Sequence, residues 1–448
     1  MKNKSAVWMF LIGLGSATQF HFVGSLGVSE LPIFIVAPFI FLKDYNQLKR
    51  DGFMPFIWLC ILTCCGCVVS AYFNHTPLVF FLKGMAHPYA LFGATVVIHR
   101  LLRGNYGSFK WLLIGSFISG IISIFILQQE TFTFEGGYNA EGEEAISRVI
   151  NNPLFWSTKI RGLITLPVTA FYLQTPLLYS ILVLVASVFV SLFLSEGGSG
   201  RGAALVMLGS CLLILMGRKR RSLMKKMGRH VLLIAIITAF IFGMFKVIYA
   251  RAAKDGYLGY EAQEKYMHQT RMGDSALSIL MAGRMEVFCG LLACFDHPII
   301  GFGPKGEDRN GYVENYLRKY GTRDDVDTYL RHVNGIRRRE GDVYLPIPAH
   351  SHIVMFWISY GIIGLALWLY VIYLLYAYYR RWSWAVPQWY GYVSIAATAT
   401  FWSILFNPFS SRIGIPLLIC CILYSKAIAS KHLVLPVEME LEAGKYGS

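Results

Sequence analysis

The chain is a succession of long apolar blocks separated by short polar interruptions. Most blocks run roughly 17–25 residues, the length a helix needs to cross a hydrocarbon core, and a few are shorter. Backbone N–H and C=O groups in hydrocarbon must be paired within their own segment, so the blocks are predicted as helices, and the period-2 alternation of a barrel is absent. They fall at 6–23, 28–42, 53–73, 78–98, 109–127, 162–174, 177–194, 203–216, 231–249, 353–378, 388–406 and 413–428. The expected fold is an all-α polytopic membrane protein with about twelve transmembrane helices and both termini on the inner side.

One polar stretch is far longer than the rest. Residues 251–349 hold 14 basic and 14 acidic side chains, the balance of a folded, solvated loop. Within them 276–295 is apolar enough to resemble a span, but Arg284 and Glu286 sit at its middle. A crossing there would put the basic cluster 218–229 and Arg380-Arg381 on opposite faces, so the segment reads as an interfacial helix. The expected division is 1–250 for helices 1–9, 251–349 for a mainly helical outer loop, 350–432 for helices 10–12, and 433–448 for an inner tail.

Composition agrees with a membrane chain. Of 448 residues 55% are hydrophobic and 15% charged, and the mean hydropathy is +0.49. The net charge of +15 would suit a nucleic-acid partner if it were spread over the chain. It is not. The inner side carries 20 Lys and Arg against 5 Asp and Glu and all other positions 21 against 21, so the whole surplus lies on one face. Membrane lipids, not nucleic acid, are the expected partner of the basic loops. No A-x-A site follows the first block, which reads as a retained helix and not a cleaved signal. Cys60, Cys64, Cys65 and Cys67 share one apolar block with no His or carboxylate nearby. They are expected to be packing residues, and no metal is expected.

The predicted topology gathers cations at the outer boundary: Lys83, Arg161, Arg201 and Arg284, with His350 and His352 at the mouth of the tenth helix. Each alone suits an interfacial or structural role, and snorkelling accounts for Lys83. Together, with no Asp or Glu placed inside a helix to neutralise them, they suggest a site for a multiply charged anion. The turn 195–202, Ser-Glu-Gly-Gly-Ser-Gly-Arg-Gly, is a second candidate anion cradle, although its spacing is not that of a P-loop. His350 is a candidate general base; an H-x-H pair without a placed third ligand argues weakly for zinc.

Three short motifs resemble a known family. Ser199-Gly-Arg-Gly202 at a helix start, Arg284 ahead of Pro298-Ile-Ile-Gly-Phe-Gly303, and Ala349-His-Ser-His352 followed by Gly361-Ile-Ile-Gly364 look like the bacterial O-antigen ligase and polymerase family. Ser351 stands where that family commonly has Asn, and 196–199 is a looser form of its usual lead-in. The resemblance implies a metal-independent, inverting glycosyltransferase of the inner membrane that needs no cofactor and works at the periplasmic face. The donor would be a glycan on undecaprenyl diphosphate and the acceptor a glycan or lipid A core hydroxyl. His350 would be the catalytic base. Arg201 and Arg284, with Arg161 and Lys83, would hold the diphosphate, and His352 would be accessory.

Ligase and polymerase share every one of these features. A secondary transporter or flippase also suits twelve helices, but coupled transport usually needs acidic or paired charges at mid-membrane. A noncatalytic assembly subunit is the remaining alternative.

Overall fold

Leu417, Leu418, Ile419, Cys420, Cys421, Ile422 and Leu423 are seven consecutive residues without an exposed side chain. A helix that is apolar on every side has to be enclosed on every side, and this one stands at the centre of the bundle. In the computed structural model of the chain the described residues are 2–16, 19–21, 25–103, 105–125, 163–193, 200–219, 285–320, 344–407 and 413–445, with short pieces between 251 and 334.

The helices in chain order are α1 (Lys2–Leu14), α2 (Glu30–Arg50), α3 (Met54–Phe73), α4 (Leu78–Leu102), α5 (Phe109–Phe125), α6 (163–170), α7 (Leu177–Phe193) and α8 (Gly200–Lys219). After a break come α9 (Met285–Asp296), α10 (Tyr312–Tyr320), α11 (His352–Tyr360), α12 (Ile362–Ala377), α13 (Tyr390–Phe406) and the central α14 (Gly414–Lys445). The regular structure among the described residues is thus helical, apart from a two-stranded antiparallel hairpin, β1 (Gln19–His21) with β2 (Ser25–Gly27). Among the described residues three helices are long and apolar enough to cross a membrane: Met54–Phe73, Leu78–Leu102 and Ile362–Trp382. Shorter apolar helices accompany them, among them Tyr106–Ile122, Leu177–Val190 and Gly414–Ser430.

α14 packs against α4, α12 and α13. Their shared core holds Trp368, Trp389, Tyr378, Phe53 and Phe56, all fully buried. Around it α1 lies against α5, α2 against α4, and α7 against α8. The α1–α5 contact is a backbone approach: a Cβ on Gly13 would strike Leu112 O, and one on Gly115 would strike Phe10 O. Small residues allow this closeness where lipid removes the hydrophobic drive for two helices to associate.

Four expectations need correction. The first block was expected to be helical through residue 23, but α1 ends at Leu14 and the hairpin comes next. Here Ser16 leaves the helix, donating from Oγ to Gly13 O at 2.6 Å and meeting Ser116 Oγ at 2.9 Å. The eighth helix starts at Gly200, not 203, so Arg201 stands in its first turn. The tenth block is two helices, not one, broken at Gly361. Finally, carboxylates do lie within helices: Glu30 opens α2, and Asp44 lies inside it because α2 continues to Arg50. Both serve local pairs near the helix ends. Glu30 accepts the Gly27 N–H at 2.9 Å, and Asp44 accepts Arg100 at 2.8 Å.

Candidate functional site: the His350 segment and the loop that braces it

The break at Gly361 organises this end of the molecule. Gly361 has φ +67, a conformation that L side chains rarely adopt, and a Cβ on it would run into Ile299 O. A broken helix frees backbone groups that must be paired elsewhere. The loop after α9 supplies the partners. Ile362 N–H donates to Ile299 O at 3.2 Å, and Phe302 N–H donates to Ile358 O at 2.7 Å. Trp357 Nε1 donates to Pro298 O at 2.9 Å.

The same loop is clamped to the neighbouring helix ends. Asn74, just past α3, donates through Nδ2 to Gly301 O at 3.2 Å. Tyr360 at the end of α11 donates its hydroxyl to Gly84 O of α4 at 2.7 Å. Pro304 sits on Gly84, where a Cβ would collide with its ring. Loop residues then pair with the strand-like approach to α11, through Ile347 N–H to Gly306 O at 2.6 Å and Asp308 N–H to Leu345 O at 2.8 Å. Asp308 also accepts the first two amides of α10, from Tyr312 at 2.7 Å and Val313 at 3.0 Å. α10 is thereby tied to the end of α9, because Tyr312 Oη donates to Asp296 at 2.7 Å. Burial and that carboxylate push the Tyr312 phenol up to about 12.

That approach ends on His350, half-buried at the mouth of α11. Ser351 sets the start of the helix. It is the N-cap of α11, its Oγ accepting Val354 N–H at 3.3 Å and donating to Ile404 O of α13 at 2.7 Å. Asn would also cap a helix, so the unexpected Ser keeps the capping chemistry. One residue on, His352 turns inward. It is only 2% exposed, and its ring lies 4.6 Å from that of Trp368 on α12. His352 is therefore a core residue of the α11–α12 pair, set apart from the half-exposed His350.

The other expected site residues divide by place. Lys83 is exposed near the N-terminal end of α4, its Nζ 5.7 Å from the centre of the Phe80 ring. Arg201 stands in the first turn of α8. Arg161 and Arg284 lie outside the described residues. Among the described residues, then, Lys83 and His350 belong to helix ends held to the one loop, 298–306, through Gly84 and Ile347 respectively.

Sequence reasoning missed the cation that the loop itself contributes. Lys305 Nζ lies 5.1 Å from the centre of the same Phe80 ring and 2.5 Å from Glu307 Oε1. Arg309 pairs with the same carboxylate at 2.6 Å. Burial alone would raise the Glu307 carboxyl; the hydrogen bonds from Lys305 and Arg309 outweigh it and hold the group below the usual carboxylate range. The only signal for Lys305 was its place directly after the Gly-Phe-Gly-Pro turn. Nothing along the chain places it beside α4.

The four cysteines of α3 do not converge. Cys60 and Cys67 are packed in the core while Cys65 faces outward. No group of three or more His, Cys, Asp or Glu side chains able to hold a metal occurs among the described residues.

No protein-family model, curated protein or solved structure matches the chain.

Proposed function

We propose that the chain is a membrane glycosyltransferase of the O-antigen ligase type, moving a glycan from undecaprenyl diphosphate to an acceptor hydroxyl at the outer face of the inner membrane. The observation that carries this reading is the splice at Gly361. Two motifs chosen from sequence, Pro298 to Gly303 and His350 to Gly364, interlock through Phe302 N–H to Ile358 O and Ile362 N–H to Ile299 O. Residues some 60 positions apart thus form one unit, with His350 presented half-buried at its edge.

In the proposed reaction His350 takes the proton of the acceptor hydroxyl as that oxygen attacks the anomeric carbon in line. The new bond joins acceptor oxygen to anomeric carbon. The bond to the diphosphate oxygen breaks, the configuration inverts, and the electron pair leaves on undecaprenyl diphosphate. Arg201 and Arg284, with Arg161 and Lys83, stabilise that departing charge; guanidinium groups hold phosphate oxygens bidentately. The topology that goes with this reading has twelve crossings, with α12 alone as the tenth and α9 and α11 at the outer boundary.

The test is the surface glycan of a strain lacking this chain, complemented with the wild type, His350→Ala or Arg284→Ala. Wild type restores polymer on the lipid A core. Each variant leaves bare core with long lipid-linked chains accumulating. A single repeat on the core would instead assign the chain to the polymerase branch. Full surface glycan from both variants would end the site assignment.

A further inference from the structure

Lys83 and Lys305 come from different elements, α4 and the loop after α9, yet both ammonium groups approach one exposed aromatic ring, that of Phe80, at 5.7 Å and 5.1 Å. Their meeting is built in. Pro304, the neighbour of Lys305, is seated on Gly84, the neighbour of Lys83, and Tyr360 holds Gly84 from below through its hydroxyl. Two cations at one ring repel each other, and the ring's negative face offsets only part of that cost. The nearest carboxylate does not settle the balance. Glu307 pairs with Lys305 and is shared with Arg309, while Lys83 has no carboxylate partner among the described residues. Three cations against one anion leave a surplus that a phosphate-bearing group would match.

We infer that Lys83 and Lys305, flanking Phe80, form a docking site for a phosphate or diphosphate group at the outer membrane boundary, with Lys305 as a ligand donor that the sequence did not single out. The identity of the anion as the donor's diphosphate rests on the glycosyltransferase reading; the existence of the site does not. Glu307 acts as the resident counter-ion. It holds the Lys305 ammonium in place while the site is empty and competes with the incoming phosphate for it.

The experiment uses the full chain in phosphatidylcholine nanodiscs, with inorganic pyrophosphate as the probe and calorimetry as the readout. Lys83→Ala and Lys305→Ala are each expected to weaken binding about tenfold, the loss of one charge-assisted contact. Glu307→Gln is expected to tighten it, and binding should weaken as salt rises. Lys305→Ala removes one of the two cations on Glu307 and could disturb the loop, so Glu307→Gln and the double variant Lys305→Ala/Glu307→Gln are measured beside it. Affinity in that double variant equal to that of Glu307→Gln alone, with an unchanged melting temperature, overturns the site.

A second arm separates the sources of phosphate. Nanodiscs containing phosphatidylglycerol are compared by native mass spectrometry. Loss of retained phosphatidylglycerol in Lys305→Ala, without pyrophosphate binding in the wild type, assigns the site to a phospholipid headgroup. Binding of neither overturns it. His350→Ala keeps the Lys83–Lys305 pair, so it should bind pyrophosphate normally. If it does so and still transfers glycan in cells, the transferase reading fails while the site stands. If it loses transfer while Lys305→Ala binds pyrophosphate as wild type does, the reading stands and the site fails.

Discussion

Ser351 shows how one small side chain can decide the roles of its two neighbours. Its hydroxyl both accepts from Val354 N–H and donates to Ile404 O, so it starts α11 and ties that start to α13. His350 therefore remains outside the helix and half-buried, and His352 enters it against Trp368. Ser351→Ala removes the cap and leaves a buried carbonyl without its partner, a loss of about 1–3 kcal/mol. Thermal melting in detergent should show that loss, and Ser351→Thr should recover most of it. At the end of α2 Asp51 has a comparable post. It caps α2 and accepts from His99 Nε2 of α4 at 3.0 Å, where His99 is wholly buried and stacked on Tyr424 of α14. Burial raises the Asp51 carboxyl, but the hydrogen bonds from His99 and Gln47 prevail and its pKa lies below the ordinary value of 3.8. A depressed carboxylate pKa stabilises the fold above the unfolded value and loses that contribution as pH falls through the folded one. Asp51→Asn is thus expected to cost about 1.5–3 kcal/mol at neutral pH, with the gap to wild type closing only below about pH 4. A gap that stayed constant down to pH 3 would remove the carboxylate from this role.

At the scale of elements, Gly361 is the position where sequence pattern and fold part company. The apolar run 353–378 is continuous, so it reads as one helix; nothing in it announces a break except a glycine, and glycines occur inside helices. The break depends on Ile299, which reaches in from a loop some 60 residues earlier, a contact that no local period records. The same limit hid Lys305, whose importance comes from Phe80. What was legible was what depends on local chain: block lengths gave α3, α5, α7 and α13 to within two residues and the start of α4, whose end lies four residues beyond the expected 98, and an H-x-H at a block's edge marked His350. Glu30 escaped because a lone carboxylate at a helix start looks like a boundary. Gly361→Ala tests the splice directly. Its φ of +67 costs a non-glycine residue about 1–3 kcal/mol, and the added Cβ must also displace Ile299 O. The variant is expected to melt earlier, and trypsin should cut faster after Lys305 and Arg309 as the loop lifts from Ile358 and Ile362. Unchanged protease resistance at those two sites would mean that the loop is held without the broken helix.

For the whole molecule the decisive quantity is which side of the bilayer the loop-bearing end faces. On the proposed topology the charge surplus is confined to one set of loops, and three of them are described: Arg50 and Asp51 between α2 and α3, Arg100, Arg103 and Lys110 around the α4–α5 turn, and Arg380-Arg381 after α12. Their opposite ends carry Lys83, Lys305 and His350, so the inner-positive bias and the candidate site make one joint claim. α14 strengthens it. A central helix sheathed by α4, α12 and α13 fixes the relative heights of their ends, so one labelled end orients the others. Tyr257, 83% exposed in the stretch between α8 and α9, and Lys49, exposed near the end of α2, are suitable markers for the two sides that the proposed topology assigns. A membrane-impermeant maleimide added to spheroplasts should label Tyr257→Cys at once, and Lys49→Cys only after permeabilisation, each above the background of the native cysteines. The reverse pattern would turn His350 toward the cytosol, where an acceptor on the outer leaflet is out of reach. It would also place the basic loops on the side that the inner-positive bias disfavours, so a single labelling experiment tests topology and chemistry together.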